Sequence, residues 1–463
     1  MDCSVIHCVR GNEQETVLNL DQPLRANPSQ FRGPIASGAA AARKESAYTP
    51  LSLALAVASV AICTDIRFPI SGLNISLGEI VAAISVIVAA ARFHPTKSGV
   101  ALGGMFLVLL LAILVIMNDQ GGSVTITAVR NIFLPIILLG FIYHARLSAR
   151  EAFGTLSVFL VGVASCAALG LDQAIRGSPP AFSLYSLDGF VSFRLHEVMS
   201  WKFNLAQTIK IISWQKSLAF GMNLFSNNFG EMLVYGIAAL LGMRAANRIH
   251  NTLFLFALAL FLFALIASLS RTAWIGAAVL VFTYGFITSR KTTVRLAWAS
   301  ISVIGVLAAS SIMAIVVGFD GGGTVRGRFH LNDIGLNLIM NSEPLTLLLG
   351  GGGARYWAFS GATSYPHSDA IYMVINFGII GLLALAVALV CILLALSEAI
   401  RRPTSLASRG LAIGGLLAFV WLVLYGLTWA SLSASNSVFM WCVIIGVALS
   451  VSLREREAAV RAV

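Results

Sequence analysis

Six side chains in the second half of this chain have the types and spacing to handle a phosphate ester. Arg271 sits between two apolar runs, Arg326, Arg328, His330 and Arg355 fall in a long polar stretch, and His367 stands just before the next apolar run. Guanidinium groups grip phosphate oxygens bidentately and stay charged at any working pH. Histidine has an unperturbed pKa of about 6.5, so its neutral form can take a proton from an attacking hydroxyl. Gathered at a membrane surface, these groups suit a lipid-linked diphosphate. The histidine activates an incoming hydroxyl, and the arginines stabilise the charge that the departing diphosphate gains, without a metal. Other chemistries lack their residues. There is no GxxxxGK[ST] loop, since Gly350-Gly351-Gly352-Gly353 has no following Lys-Ser/Thr, and there is no HExxH or DxD pair. The six cysteines form no CxxC pair, and Cys63, Cys166, Cys391 and Cys442 read as small hydrophobes inside apolar runs.

The elements that must position these residues are membrane spans. Hydrophobic residues make up 58% of the 463, and charged residues only 11%. A water-soluble domain carries about 25% charged residues, so this chain could not cover its own surface in water. The expectation is an all-α, polytopic membrane protein. A span needs about 20 apolar residues, which predicts twelve: 50–66, 74–92, 99–117, 124–143, 152–171, 229–243, 251–269, 272–289, 296–317, 368–396, 409–429 and 436–453. Residues 1–48 are polar, hold no signal-peptide core, and read as a disordered cytoplasmic tail. Residues 49–453 form the transmembrane domain and 454–463 a second tail.

The net charge of +11 is an orientation signal before it is a nucleic-acid footprint, and no nucleic-acid partner is expected. With the N-terminus inside, the short inner loops hold Arg92 and Lys97, Arg146 and Arg150, Arg244 and Arg248, Arg290, Lys291 and Arg295, and Arg401, Arg402 and Arg409. The short outer connections hold only Arg67 and Arg271, and Arg454, Arg456 and Arg461 join the inside. Both termini are therefore expected to be cytoplasmic. Two outer segments, 172–228 and 318–367, are too long for plain connectors, and loops of that length carry function. Within the first, 196–220 mixes Trp201 and Trp214 with Lys202, Lys210 and Lys216, the pattern of an interfacial helix. Ionisable residues inside the spans are scarce. Arg130 is the clearest, with Glu79 and Glu231 near outer ends.

His367-Ser368, nine residues, then Gly378-Ile379-Ile380-Gly381 fits the H[NSQ]x9GxxG pattern of the O-antigen ligase and polymerase family. Ser268-Leu269-Ser270-Arg271 followed by Thr272, Ala273 and Trp274 looks like that family's Ser-Arg turn between two spans, and Asn227-Asn228-Phe229-Gly230 resembles its Asn-rich helix entry. Gly327-Arg328, followed by Leu348-Leu349-Gly350-Gly351-Gly352, is similar to its arginine and glycine-rich stretch. The likeness covers roughly 225–395 by these motifs. The resemblance implies a membrane-embedded glycosyltransferase of the C type, with no cofactor and no metal. It would take glycan from an undecaprenyl-diphosphate donor at the periplasmic face of a bacterial inner membrane. His367 would be the base. Arg271 and Arg328 would clamp the diphosphate, with Arg326 the alternative to Arg328 and Arg130 a further candidate. The family's tryptophan soon after the arginine is missing here, since Phe329 to Leu336 contain none.

The leading expectation is a polymerase joining lipid-linked repeat units of an exopolysaccharide or O-antigen, with Trp357 after the glycines as a point of likeness to exopolysaccharide pathways. A ligase moving finished glycan to lipid A-core or protein uses the same donor chemistry. A transporter or flippase would need polar residues through the bilayer midplane and two related halves, and neither is visible. The expected partners are the lipid-linked oligosaccharide, the growing glycan acceptor and the bilayer, with a chain-length regulator and export machinery as further candidates. For His367 the alternative role is a hydrogen-bonding residue at a helix start, with Asp369 nearby. For Arg271 it is a snorkelling arginine, and for Arg130 an interhelical structural pair.

Overall fold

The computed structural model describes residues 50–63, 67–70, 73–90, 135–176, 226–289, 291–301, 303–304, 321–352, 356, 366–428 and 435–461. All of them belong to the unit Ala47–Val463. Helices α1 (Pro50–Ile62) and α2 (Leu77–Ala90) flank strands β1 (Arg67–Ile70) and β2 (Leu73–Ser76). Then come α3 (Pro135–His144), α4 (Ala149–Arg176), α5 (Ser226–Ala245), α6 (Asn251–Ala267) and α7 (Arg271–Thr288). A helical run at 292–301 is α8. The chain continues through α9 (Gly321–Met340), α10 (Pro344–Leu349), α11 (Asp369–Arg401), α12 (Leu406–Thr428) and α13 (Ser435–Arg461).

Four of the described helices are long and apolar enough to cross a membrane: Ala149–Ile175, Arg271–Thr288, Asp369–Arg401 and Leu406–Leu427. Shorter apolar helices are Pro50–Ile62, Pro135–His144 and Asn251–Ala267. The span expected at 99–117 lies outside the described residues, and those at 124–143 and 296–317 are described only in part. The all-α expectation needs one correction. β1 and β2 pair antiparallel, with Phe68 opposite Ile75 and Pro69 opposite Asn74. Pro69 is tolerated because a two-stranded sheet has only edges. The two long outer segments are not plain loops either: α4 runs into the first and α5 begins inside it, while α9 and α10 occupy much of the second.

Small residues set how closely the central helices pack. A methyl group on Gly242 of α5 would lie 2.7 Å from the Cα of Gly414 on α12, so these two backbones touch. Close approach through small residues is how helices gain packing energy where lipid offers no hydrophobic drive. The buried core joins α4, α5, α12 and α13 through Phe159, Tyr235, Trp421 and Phe439.

The bundle has two ends of opposite character. At one, Arg146 before α4 pairs with Glu457 of α13 at 2.9 Å, and Arg456 pairs with Glu398 of α11 at 2.9 Å. Ser405, between α11 and α12, donates to Glu455 at 2.9 Å, and the Leu147 N–H donates to Ser450 at 2.8 Å. Arg248, after α5, stacks over Phe153 of α4 at 5.0 Å. Basic segments that charge bias assigned to one side thus meet at one end. The other end holds the residues with chemical promise.

Candidate functional site

The turn between α6 and α7 fixes Arg271. Leu269 takes a positive φ of 52°, which reverses the chain sharply. Ser268 Oγ donates to the Leu265 carbonyl at 2.7 Å and accepts from the Ser270 N–H at 3.3 Å. The Trp274 indole N–H reaches back across the turn to the same Leu265 carbonyl at 2.6 Å. A buried indole needs such a partner, so this tryptophan staples the two helices. Arg271 emerges as the first residue of α7, with its side chain exposed. The turn rests on α5, because a methyl on Gly230 would meet Ser270 Cβ at 2.8 Å and Ala273 Cβ at 2.9 Å.

His367 is placed by a docking of two glycines. α11 breaks its helical course at Gly378, with φ 67° and ψ −173°. Gly350, at the end of α10, has φ 90° and ψ 159°. Both conformations are in the region that only glycine occupies without strain. The Gly351 N–H donates to the Ile375 carbonyl at 3.0 Å, one of the acceptors that the kink releases. A side chain on Gly350 would strike the Asn376 carbonyl, and one on Gly378 would strike Leu348 and Gly350. The glycine-rich stretch and the GxxG pattern are therefore two halves of one joint. Eleven residues before the kink, His367 is half-buried ahead of the first turn of α11, with Ser368 at the helix N-cap.

α9 lies across this start. Gly335 packs on Ile371 and Pro366, the residue before His367. Leu338, Tyr356 and Ile375 form a small core of their own with Ile334 and Ile371 at its edge. Tyr356 donates to the Leu331 carbonyl at 3.4 Å, and burial pushes its phenol up to about 12. Positions 326 and 328 are on α9, with 328 seven residues before Gly335. That is about 10 Å along the axis. The side chains of Arg326 and Arg328 lie outside the described residues, as do Arg130, Arg355, Trp357 and the segment 196–220. His330 is exposed on α9. Glu79 is in the first turn of α2, its side chain likewise outside the described set.

Among the described residues, no group of three or more His, Cys, Asp or Glu side chains is placed to hold a metal ion. What the charge and motif pattern understated is how deeply some polar side chains are buried. Glu231, read from sequence as near an outer helix end, is 1% exposed, and Tyr235, Tyr372 and Tyr425 are as deeply buried. Their burial is not legible in sequence spacing, because they come from three separate helices.

Arg271, the α9 arginine positions and His367 thus all belong to elements at the end of the bundle opposite the ion pairs. Guanidinium and imidazole groups there can bind an anion and move a proton. No curated protein matches the chain. Its residues 256–386 match a family model described as O-antigen ligase. That stretch runs from within α6, across Arg271 and both α9 arginines, to just past the glycine joint. With the long apolar helices it indicates a membrane protein. Residues 256–386 are thus similar to the O-antigen ligase family.

Proposed function

We propose that this protein is a polysaccharide polymerase. It joins oligosaccharide repeat units carried on undecaprenyl diphosphate, at the periplasmic face of the bacterial inner membrane. The observation that carries the reading is the glycine joint, which seats His367 in the matched segment at the same end of the bundle as Arg271. His367 takes the proton of the acceptor sugar hydroxyl. Arg271 and Arg328 stabilise the departing lipid diphosphate, with Arg326 beside them and Arg130 supporting from its span. Arginine suits this task because its planar fork binds phosphate oxygens in pairs and needs no metal.

The gathering of basic segments at the opposite end supports cytoplasmic termini and a periplasmic site. The acceptor is the growing glycan, and the reaction takes place at the bilayer surface. A chain-length regulator and export machinery are natural partners of such a polymerase.

A second reading has one observation in its favour: the matched family model is described as O-antigen ligase. A ligase would move finished glycan from the same carrier to lipid A-core or protein. Purified protein given radiolabelled lipid-linked repeat units separates the readings. A polymerase builds a ladder of products from the donor alone. A ligase gives product only when a second acceptor is added. Unchanged donor under both conditions would overturn the transferase reading and leave transport.

A further inference from the structure

α11 changes character at Gly378. From Ile379 to Ser397 it holds no charged residue. Ile379, Leu383, Val387, Val390 and Leu394 are exposed along it. Their spacing of three and four residues puts them on one face of the helix, the stripe that a span turns to lipid. Before the kink, Tyr372, Met373, Ile375 and Phe377 are all buried. Glu398 fixes the other limit, because it is exposed and pairs with Arg456 at the ion-pair end. About 20 residues of helix cross the hydrocarbon. Counting that far back from Glu398 arrives at Gly378, so the joint stands at the edge of the hydrocarbon layer.

α10 is docked at that level. A side chain on Gly378 would strike the Leu348 carbonyl, so the end of α10 touches the kink itself. Two large apolar side chains of α10 are left uncovered: Leu345 is 66% exposed and Leu348 46%. Three residues apart, they share one helix face. Leu347, between them in sequence, instead lines a shallow pocket with Leu338, Ile339, Val374 and Ile375. From Pro344 to Ala354 there is no charged residue. Scattered apolar side chains are ordinary on a surface. These two differ in place, because they continue the lipid-facing stripe of α11 at the point where it begins.

We infer that α10 rests in the interface of the bilayer, with Leu345 and Leu348 bedded among the lipid chains at the level of Gly378. The partner is lipid, in the leaflet opposite the ion pairs. A helix at the boundary between headgroups and acyl chains buries its apolar face there and leaves polar groups to the headgroups. Asn341 and Glu343, exposed just before α10, suit that headgroup layer. The joint then has a second duty, since it holds α10 at the membrane surface. His367, eleven residues before the kink, stands outside the hydrocarbon, in the layer where lipid phosphates lie. This depends on α11 as a span and not on the transfer reaction.

The test uses the full-length protein in nanodiscs of phosphatidylethanolamine and phosphatidylglycerol, with a sulfonated maleimide as probe. Leu345→Cys and Leu348→Cys are compared with Asn337→Cys, an exposed polar position on α9. No lysine or arginine interrupts Phe329 to Ala354, so all three labels are read by mass on one tryptic peptide, and the native cysteines fall in others. Asn337→Cys should react about tenfold faster than the two leucine variants, because only the thiolate reacts and an apolar setting raises its pKa. In denaturant the three rates should converge. All three positions are on the surface, so a melting temperature near wild type checks the fold, and either leucine variant decides if the other is unstable. Equal rates in folded protein overturn the inference. Slow labelling of the leucine variants in native membranes but fast labelling in nanodiscs means that a protein partner covers them, and overturns it too. The labelling uses neither donor nor acceptor, so a protein without transferase activity leaves the result standing.

Discussion

The two ends of the helical bundle solve the problem of polar groups in opposite ways. At the ion-pair end, Arg146 and Arg456 meet Glu457 and Glu398 on side chains that water reaches. Each such pair contributes little, about 0–1 kcal/mol, because water screens it. The arrangement is redundant, and it ties α13 to the loops before α4 and α12 through many weak links. The opposite end is held differently. Its backbone is set by two glycines, one indole and one sharp turn, each without a substitute. Stability is distributed at the first end, and geometry is concentrated at the second. Single substitutions should therefore act very differently at the two ends.

The largest effect should come from His367→Ala. Glycan transfer should fall by about a thousandfold, the upper range for losing a general base, while expression and membrane insertion stay normal. Product formation on labelled donor checks this, and near-normal product would remove the residue from the mechanism. Gly378→Ala should come next. The added methyl collides with the Gly350 turn and forces a glycine-only conformation, at a cost of about 1–3 kcal/mol. Activity should drop with the melting temperature, and no single compensating change at Gly350 should restore it. Arg271→Lys should lose most activity while keeping the melting temperature, since a point charge cannot replace a planar fork. Tolerance of lysine would favour general electrostatics over bidentate phosphate binding. Trp274→Phe should lower stability by about 1–2 kcal/mol, the loss of one buried hydrogen bond, as a shift of the unfolding midpoint.

The smallest effect belongs to the ion-pair end. His144, the last residue of α3, is held below its ordinary pKa by burial first and by Arg146 second, against a pull upward from Glu457. Above about pH 6.5 the imidazole is neutral both folded and unfolded, so the histidine adds no pH dependence. As pH falls below that value the unfolded chain takes up a proton sooner than the folded one, and stability declines. His144→Gln should flatten this decline in melting temperatures measured between pH 5.5 and 7.5. An unchanged slope would mean that other groups set it.

Much of this contrast can be read from residue order. The bias of arginines among short loops foretold which segments meet, because Lys and Arg avoid crossing the bilayer. The H[NSQ]x9GxxG and Ser-Arg patterns pointed to the stretch that matches the O-antigen ligase family. Their physical meaning was not legible. Nothing in the spacing of Gly350 and Gly378 says that they face each other, since that depends on a kink and a long-range approach. The acids Glu455 and Glu457 looked like an ordinary polar tail, yet Glu457 pairs with Arg146, 311 residues away. Glu231 was placed near the surface by counting along a span, whereas tilt and neighbours decide burial. The β1–β2 hairpin was hidden because an apolar run of this length reads equally as helix or strand.

The clasp between Gly351 and Ile375, and the seat of Pro366 against Gly335, pin both margins of the intervening chain. Chain between two such anchors is cheap to lengthen, since doubling a loop costs only about 0.6 kcal/mol of closure entropy. Between these anchors Tyr356 is the position that resists exchange, because it fills the small core with Leu338 and Ile375.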